Sequence, residues 1–161
     1  MSEVIQLAQQ LDGGPRPDAD APAIRTDAVH VVFTSVDDTL VALRVAASLA
    51  RTMTAPLKLI HFRTVPYALS VDGPSGQSPA ETDDFMERVR AEGFDIRVRV
   101  YLCRNERRAI TMAFKRHSII VIAGRHRRWA TGGERLRRYL EAAGHYVVFV
   151  DTDEHQETSR A

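Results

Sequence analysis

Four consecutive side chains that are cationic or titratable follow a short apolar run that ends at Gly124. They are Arg125, His126, Arg127 and Arg128. The run from 118 to 123 is rich in β-branched residues and has no polar alternation, which is typical of a strand buried on both faces of a parallel sheet. In open α/β sheets, ligands bind where the carboxyl ends of strands open into a crevice. The sequence therefore predicts an anion-binding loop at this point.

The start of a helix is predicted directly after this loop. Thr131 is placed to cap the helix, and Glu134, three residues later, is placed to complete a capping box. Gly132 and Gly133 would let backbone N–H groups approach an anion closely, and the helix dipole would attract the same charge. We therefore expect cations, amides and a dipole to converge on one small anionic ligand.

The rest of the chain alternates strands with helices. Strands are predicted at 30–36, 57–62, 96–102, 118–123 and 145–150, and helices at 40–51, 79–92, from Asn105 to about Lys115, and after Thr131. Five strands joined by helical connections of this length form a parallel sheet with helices on both faces. The predicted fold class is α/β, with three α/β/α layers and a five-stranded parallel sheet.

Several local patterns refine this prediction. Asp38 or Thr39 should cap the first helix, and Asn105 should cap the third, with Met112 turned inward. The apolar–polar alternation of 96–102 indicates a half-exposed strand at a sheet edge. His61 is interpreted as a packed core histidine, and Cys103 as a buried thiol on a strand.

Composition excludes several classes of site. A single cysteine permits neither an intramolecular disulfide nor a cysteine-built zinc site. The sequence GPSG at 73–76 does not follow a predicted strand directly, so it is not interpreted as a nucleophile elbow, and there is no Walker loop. No apolar run approaches the roughly 18 residues of a membrane helix. We expect a cytoplasmic protein with no membrane association and no metal site.

The segments VVFTSVDDTLVALRVAASLA, LIHF, and IIVIAG followed by a basic loop, a helix and VVFV resemble the universal stress protein family. The resemblance covers about 28–151, and the flanking segments 1–27 and 152–161 are expected to be flexible tails. It implies the sheet order 3-2-1-4-5, with a nucleotide held at the switch point between strands 1 and 4. Strand 145–150 would then be an open edge that forms a homodimer.

The resemblance also implies roles for individual residues. Asp37 matches the aspartate that holds the adenosine, with Ser35 and Val36 as its strand-end neighbours, and Phe62 matches a residue lining the base pocket. Ala123 and Gly124 match the residues of strand 4 that lie at the nucleotide. With the loop residues, the expected ligand site comprises Ser35, Val36, Asp37, Phe62, Ala123, Gly124, Arg125, His126, Arg127, Gly132 and Gly133.

The glycine pattern of the ATP-binding members is broken. Arg127 stands at the position of the second glycine, and Gly132 and Gly133 follow Gly124 by eight and nine residues instead of thirteen. A side chain and a shorter loop both hinder wrapping of backbone amides around a triphosphate. The sequence therefore predicts weak binding of ATP, AMP or another phosphate-bearing anion, by a regulatory or binding domain without catalysis.

Two alternatives remain at this stage. One is a nucleotide-dependent enzyme of the same superfamily, such as a weak ATPase. The other is a nucleic-acid-binding module, because 97–138 contains thirteen Lys or Arg and only two acids. In that interpretation the arginines near strand ends form one patch: Arg104, Arg107, Arg108, Arg125, Arg127 and Arg128, with Tyr101 and Trp129 available for stacking.

Overall fold

The computed structural model describes residues 27–65, 79–125 and 132–153. All its strand pairings are parallel, and they join one five-stranded sheet in the order β3-β2-β1-β4-β5. The strands are β1 (Val29–Val32), β2 (Leu57–Thr64), β3 (Ile96–Cys103), β4 (Ile119–Gly124) and β5 (Tyr146–Asp151). The helices are α1 (Val36–Met53), α2 (Pro79–Ala91), α3 (Glu106–Ala113) and α4 (Gly132–Ala142). The predicted α/β class and strand order are confirmed.

Strand β4 is the most buried element of the sheet. All six of its residues are buried, and it pairs with β1 on one side and β5 on the other. Its lack of polar alternation follows from this position, because each face of the strand is covered by a helical layer. The basic loop predicted from the sequence therefore begins at the carboxyl end of an interior strand, next to the central strand β1.

Two apolar clusters lie on opposite faces of the sheet, and we name them the α1–α2 cluster and the α3–α4 cluster after the helices that contribute to them. On one face, Leu43 of α1 and Val89 of α2 pack with alternate residues of the central strands, including Val31 and Val121. On the other face, Ile110 of α3 and Leu140 of α4 pack over the intervening residues, such as Ile122. The period-two alternation of strand side chains separates the two clusters.

Helix α1 begins earlier than predicted. Its N-cap is Ser35, whose hydroxyl accepts a hydrogen bond from the Asp38 N–H at 3.2 Å. The prediction that Asp38 or Thr39 caps the helix was wrong, because β1 ends at Val32 and three residues are enough to reach the first helical turn. Thr39 is instead fully buried and accepts a hydrogen bond from the Thr34 N–H at 3.2 Å.

Helix α3 is short and covers only part of the sheet face on which it packs. Asn105 caps it, as predicted, by accepting a hydrogen bond from the Arg108 N–H at 3.1 Å. The helix ends at Ala113, and Met112 is 66% exposed, so the inward placement of Met112 was wrong. With eight residues the helix completes about two turns, and Ile110 and Phe114 supply its buried contacts.

The two sheet edges are β3 and β5, which confirms the edge position predicted for the third strand. Two apolar side chains of β5 are exposed to solvent, Tyr146 at 48% and Val148 at 37%. Within 27–65, 79–125 and 132–153, no helix combines the length and apolar character that crossing a membrane requires.

Candidate ligand-binding site

The carboxyl ends of β1 and β4 meet at the switch point of the sheet, where the chain leaves β1 toward one helical layer and β4 toward the other. Thr34 joins these two ends, because its hydroxyl donates to the Ala123 carbonyl oxygen at 3.1 Å. A crevice at such a reversal of strand order is the usual ligand position in this class of fold. The structure thus brings the two predicted halves of the site, Ser35 and Ala123–Gly124, side by side.

The first turn of α1 forms the acidic side of this region. Ser35 donates to Asp38 Oδ2 at 2.9 Å, which completes the cap, and Val36 packs against the α1–α2 cluster. Asp37 is the exposed acid, with 83% of its side chain accessible, and its Oδ1 accepts from Arg88 of α2 at 3.0 Å. A ligand hydroxyl can therefore reach Asp37, although Arg88 competes for the same carboxylate.

Glycines place the start of α4 against the end of β4. A Cβ atom at Gly133 would lie 3.7 Å from the Ala123 carbonyl oxygen and 3.9 Å from the Gly124 Cα. Gly133 and Gly124 also pack on the ring of Phe149, which would lie 3.6 Å from a Cβ atom at Gly133 and 3.5 Å from one at Gly124. The helix N-terminus consequently lies beside the strand end with no side chain between them, as an anion site requires.

Glu134 is buried in the first turn of α4, where its negative charge would oppose an anion. Arg137 donates to it at 2.8 Å and 3.2 Å, and Arg138 donates at 3.3 Å. The hydrogen bond from Arg137 is the main reason that the pKa of Glu134 is lowered. Its carboxylate is therefore ionised and balanced by two guanidinium groups, which keeps the helix start compatible with a bound anion.

Arg125 is the member of the basic loop that lies within the described residues. Its Nε is 3.8 Å from Asp153 Oδ1, and the Asp153 N–H in turn donates to Asp151 Oδ1 at 2.9 Å. An acid just beyond the end of β5, Asp153, thus lies near the first cation of the loop. His126 and Arg127 of the expected site, together with Arg128 and the predicted cap Thr131, lie outside the described residues.

Phe62 occupies the opposite side of the sheet from Asp37. Its ring stacks on Tyr101, with centroids 5.5 Å apart and planes at 27°, and meets Phe114 at 6.1 Å. It belongs to the α3–α4 cluster, whereas Asp37 lies against α2. The two residues therefore flank the carboxyl edge from different faces.

Two further titratable side chains, His61 and Cys103, pack against neighbouring residues. His61 packs on Phe33 at 4.2 Å between ring centroids, as its core interpretation predicts, and burial lowers its pKa to about 4. Cys103 is half-buried at the end of β3, with its thiol 3.7 Å from the Arg63 carbonyl oxygen, and burial raises its pKa. Within the described parts of the chain, no three His, Cys, Asp or Glu side chains group as metal ligands.

Three residues of this region were not predicted from the sequence: Thr34, Arg88 and Asp153. Extending the first strand to residue 36 treated Thr34 as a strand residue, which concealed its bond across the switch point. Arg88 is 51 residues from Asp37, and no local pattern links them. Asp153 lies in the segment expected to be a tail, so its approach to Arg125 had no signal in the sequence.

No known family profile matches the sequence, and no curated protein matches it. Solved structures do share its architecture. The universal stress protein from Archaeoglobus fulgidus has a TM-score of 0.50 and 17% identity, covering 77% of this chain and 93% of that chain.

A universal stress family protein from Burkholderia pseudomallei has a TM-score of 0.47 and 17% identity, covering 83% of this chain and 100% of that one. A universal stress protein in complex with cAMP has a TM-score of 0.47 and 18% identity, covering 79% of this chain and 98% of that one. The parallel sheet in the order 3-2-1-4-5, with two helices on each face, is the fold of the universal stress proteins.

Proposed function

We propose that this chain is a universal-stress-like regulatory domain that binds a phosphate-bearing small molecule, with ATP or AMP as the first candidates, and has no catalytic activity of its own. The observation that supports this most strongly is the contact of Gly133 with Gly124, which places the start of α4 beside the carboxyl end of β4. Backbone amides at a helix N-terminus, with the dipole behind them, are suited to a phosphate group.

The neighbouring groups suit the remainder of a nucleotide. Asp37 offers an exposed carboxylate that can accept hydrogen bonds from ribose hydroxyls. Arg125, half-exposed at the end of β4, can pair with a phosphate group. The proposal places the phosphate at α4 and the sugar toward α1, across the Thr34–Ala123 hydrogen bond.

Weak affinity follows from competition inside the protein. Asp153 already lies near Arg125, and Arg88 already pairs with Asp37, so a ligand must replace both contacts. The broken glycine pattern removes backbone contacts that a triphosphate would use. We expect a dissociation constant in the high micromolar range or weaker, or roughly −5 kcal/mol of binding free energy.

The test combines calorimetry with thermal shift, using phosphate, AMP, ADP, ATP and cAMP as probes. Arg125→Ala should weaken nucleotide binding, whereas Asp153→Ala should strengthen it by releasing Arg125 from its acidic neighbour. Arg51→Ala, on the exposed end of α1, is the control. A panel in which no probe stabilises the protein, or in which Arg125→Ala binds as well as the parent, would refute the proposal.

We also propose a homodimer formed through β5. This strand is an open edge, and its backbone polar groups on that side have no neighbouring strand within the described chain. Tyr146 and Val148 add exposed apolar surface to the edge. Two copies running antiparallel about a two-fold axis would satisfy these groups.

A further inference from the structure

A group of cations lies on the sheet face that α3 leaves partly uncovered. The register pairs Lys58 with Arg97 and Ile60 with Arg99. Because Ile60 belongs to the α3–α4 cluster and side chains alternate along each strand, Lys58, Arg97 and Arg99 share that face. Arg97 is exposed, and the other two are half-exposed. We call these three residues the β2–β3 basic face.

These charges are close together, and no described acid lies within ion-pair distance of them. Adjacent strands are about 4.8 Å apart, so the paired positions Lys58 and Arg97 are immediate neighbours. Within the described parts of the chain, none of the three forms an ion pair within 4.0 Å. Burial, followed by repulsion from Arg99, lowers the pKa of Lys58. The nearby acid Asp27 is paired with Lys115.

Placing like charges opposite one another destabilises a sheet. A face that needed only solubility could have carried opposite charges at the same positions. The arrangement instead fits a polyanion, because several cations that bind phosphates gain affinity by releasing counterions.

The next position in the same row is aromatic. Tyr101 follows Arg97 and Arg99 at two-residue spacing on β3, remains half-exposed and stacks on Phe62. Cations along a surface followed by an aromatic ring are the combination that binds single-stranded nucleic acids, since phosphates pair with the cations and a base stacks on the ring. An acidic peptide would use the cations but not the ring.

We propose that the β2–β3 basic face, together with Tyr101, binds single-stranded nucleic acid. This surface lies on β2 and β3 and is separate from the crevice between β1 and β4. Its cations differ from those of the carboxyl-end arginine patch considered from the sequence, although Tyr101 is common to both. The proposal is therefore independent of nucleotide binding at α4.

The experiment measures fluorescence anisotropy of labelled oligouridylate and oligothymidylate with the full chain, between about 50 and 200 mM salt. Arg97→Ala/Arg99→Ala should weaken binding roughly tenfold per lost phosphate contact near 50 mM salt, and should reduce the salt slope by about 1.4. The control Arg51→Ala/Arg90→Ala makes the same charge change on α1 and α2, which cover the other face, and should bind within about twofold of the parent.

Three further variants separate binding from folding and test the aromatic ring. Lys58→Gln should also weaken binding, and melting curves should show that neither it nor the double arginine variant is destabilised, because each relieves repulsion. Tyr101→Leu should lose at least about fivefold in affinity, whereas Tyr101→Phe should retain it.

Three results would overturn the proposal. One is a parent protein that binds neither oligonucleotide at low salt. Another is an equal loss in the α1–α2 control, which would assign binding to net charge alone. The third is an oligoglutamate of matched charge that binds as tightly as the oligonucleotides, which would identify an acidic-protein surface instead.

Discussion

The Thr34 hydroxyl donates to the Ala123 carbonyl oxygen at 3.1 Å, while the Thr34 N–H donates to Thr39 Oγ1 at 3.2 Å. One residue thereby connects the end of β1, the first turn of α1 and the end of β4. These are the elements that border the candidate site. The spacing between the acidic start of α1 and the glycine-lined start of α4 depends on this residue.

Replacing Thr34 by Val removes the hydroxyl while keeping the shape of the side chain. We expect Thr34→Val to lower the free energy of unfolding by about 1 kcal/mol, because the Ala123 carbonyl oxygen loses a hydrogen bond in a partly buried position. Urea denaturation measures the change. Thr34→Ser keeps the hydroxyl, so its free energy of unfolding should fall between those of the parent and the valine variant. An unchanged urea midpoint for the valine variant would show that the hydrogen bond contributes nothing to stability.

The two glycines that start α4 should differ sharply in the side chains they tolerate. A Cβ at Gly133 would already be within 3.6 Å of Phe149 and 3.7 Å of Ala123, whereas one at Gly132 would meet nothing within 4 Å. Gly133→Leu should therefore displace α4 from β4 and cost about 1–3 kcal/mol by overpacking. Gly132→Leu is the matched control and should fold with nearly the parent stability.

Nucleotide binding should also be weakened by Gly133→Leu and not by Gly132→Leu, because the proposed phosphate site needs α4 close to β4. We expect phosphate and AMP to stabilise the Gly133→Leu variant less than the parent. Thermal shift at saturating probe concentration makes the comparison, with Gly133→Ala as a conservative substitution whose Cβ contacts are ordinary. If the leucine variant at Gly133 responds to both probes as strongly as the parent, the phosphate does not bind at this helix.

Stability should decrease in mild acid because of His30. Burial lowers the pKa of His30 to about 4, so between about pH 6.5 and 4 the unfolded chain binds more protons than the native one. The stabilisation is fully present above pH 6.5 and is lost as the pH falls toward 4. We expect this residue to account for on the order of 2 kcal/mol of that loss.

Denaturation curves at several pH values test this expectation. His30→Leu should flatten the dependence, because leucine cannot be protonated beside Phe114. His61→Leu should flatten it by a separate contribution, since burial also lowers the pKa of His61 to about 4. A parent protein whose stability is constant from pH 7 to pH 4 would contradict both assignments.

Prolines at adjacent positions of β5 can distinguish a dimer edge from the interior of the sheet. The Tyr146 N–H donates to the Ser118 carbonyl at 3.0 Å, so alternate residues, including Val148, direct their amides to β4. The amide of Val147 faces the open edge. Val147→Pro should dissociate a dimer with little loss of monomer stability, whereas Val148→Pro should destabilise the monomer itself.

Light scattering across a tenfold range of concentration, combined with melting curves, reads out both effects. The parent should have twice the monomer mass of 18.0 kDa. A parent that stays at the monomer mass over the whole range would exclude the β5 dimer.

Apolar periodicity was sufficient to predict the class of fold. β4 could be located because six buried residues leave no polar alternation, and β3 could be placed at an edge because its alternation is regular. The strand order came from the resemblance. Neither argument depends on the residues at the ends of the elements.

The ends of elements were harder to predict because several polar residues compete for each role. Ser35, Asp38 and Thr39 all have side chains that can cap a helix, and only tertiary structure decides that Thr39 is buried as a partner of Thr34. Glu134 also accepts hydrogen bonds from Arg137 and Arg138, one turn later in the helix, and the capping box predicted for it with Thr131 stays a prediction because Thr131 lies outside the described residues. Long-range pairs such as Asp37–Arg88 have no signal at all in local sequence.

The hydrogen bond between Thr34 and Ala123 closes a sequence separation of 89 residues, and the β1–β4 pairing beside it closes similar distances. Contacts this distant carry a larger entropy cost of loop closure than contacts among β4, α4 and β5, which are neighbours in the chain. We therefore expect the candidate site to be one of the last parts of the domain to assemble during folding. A ligand that binds there would recognise only molecules that have completed the β1–β4 junction, and partly folded chains would not compete for it.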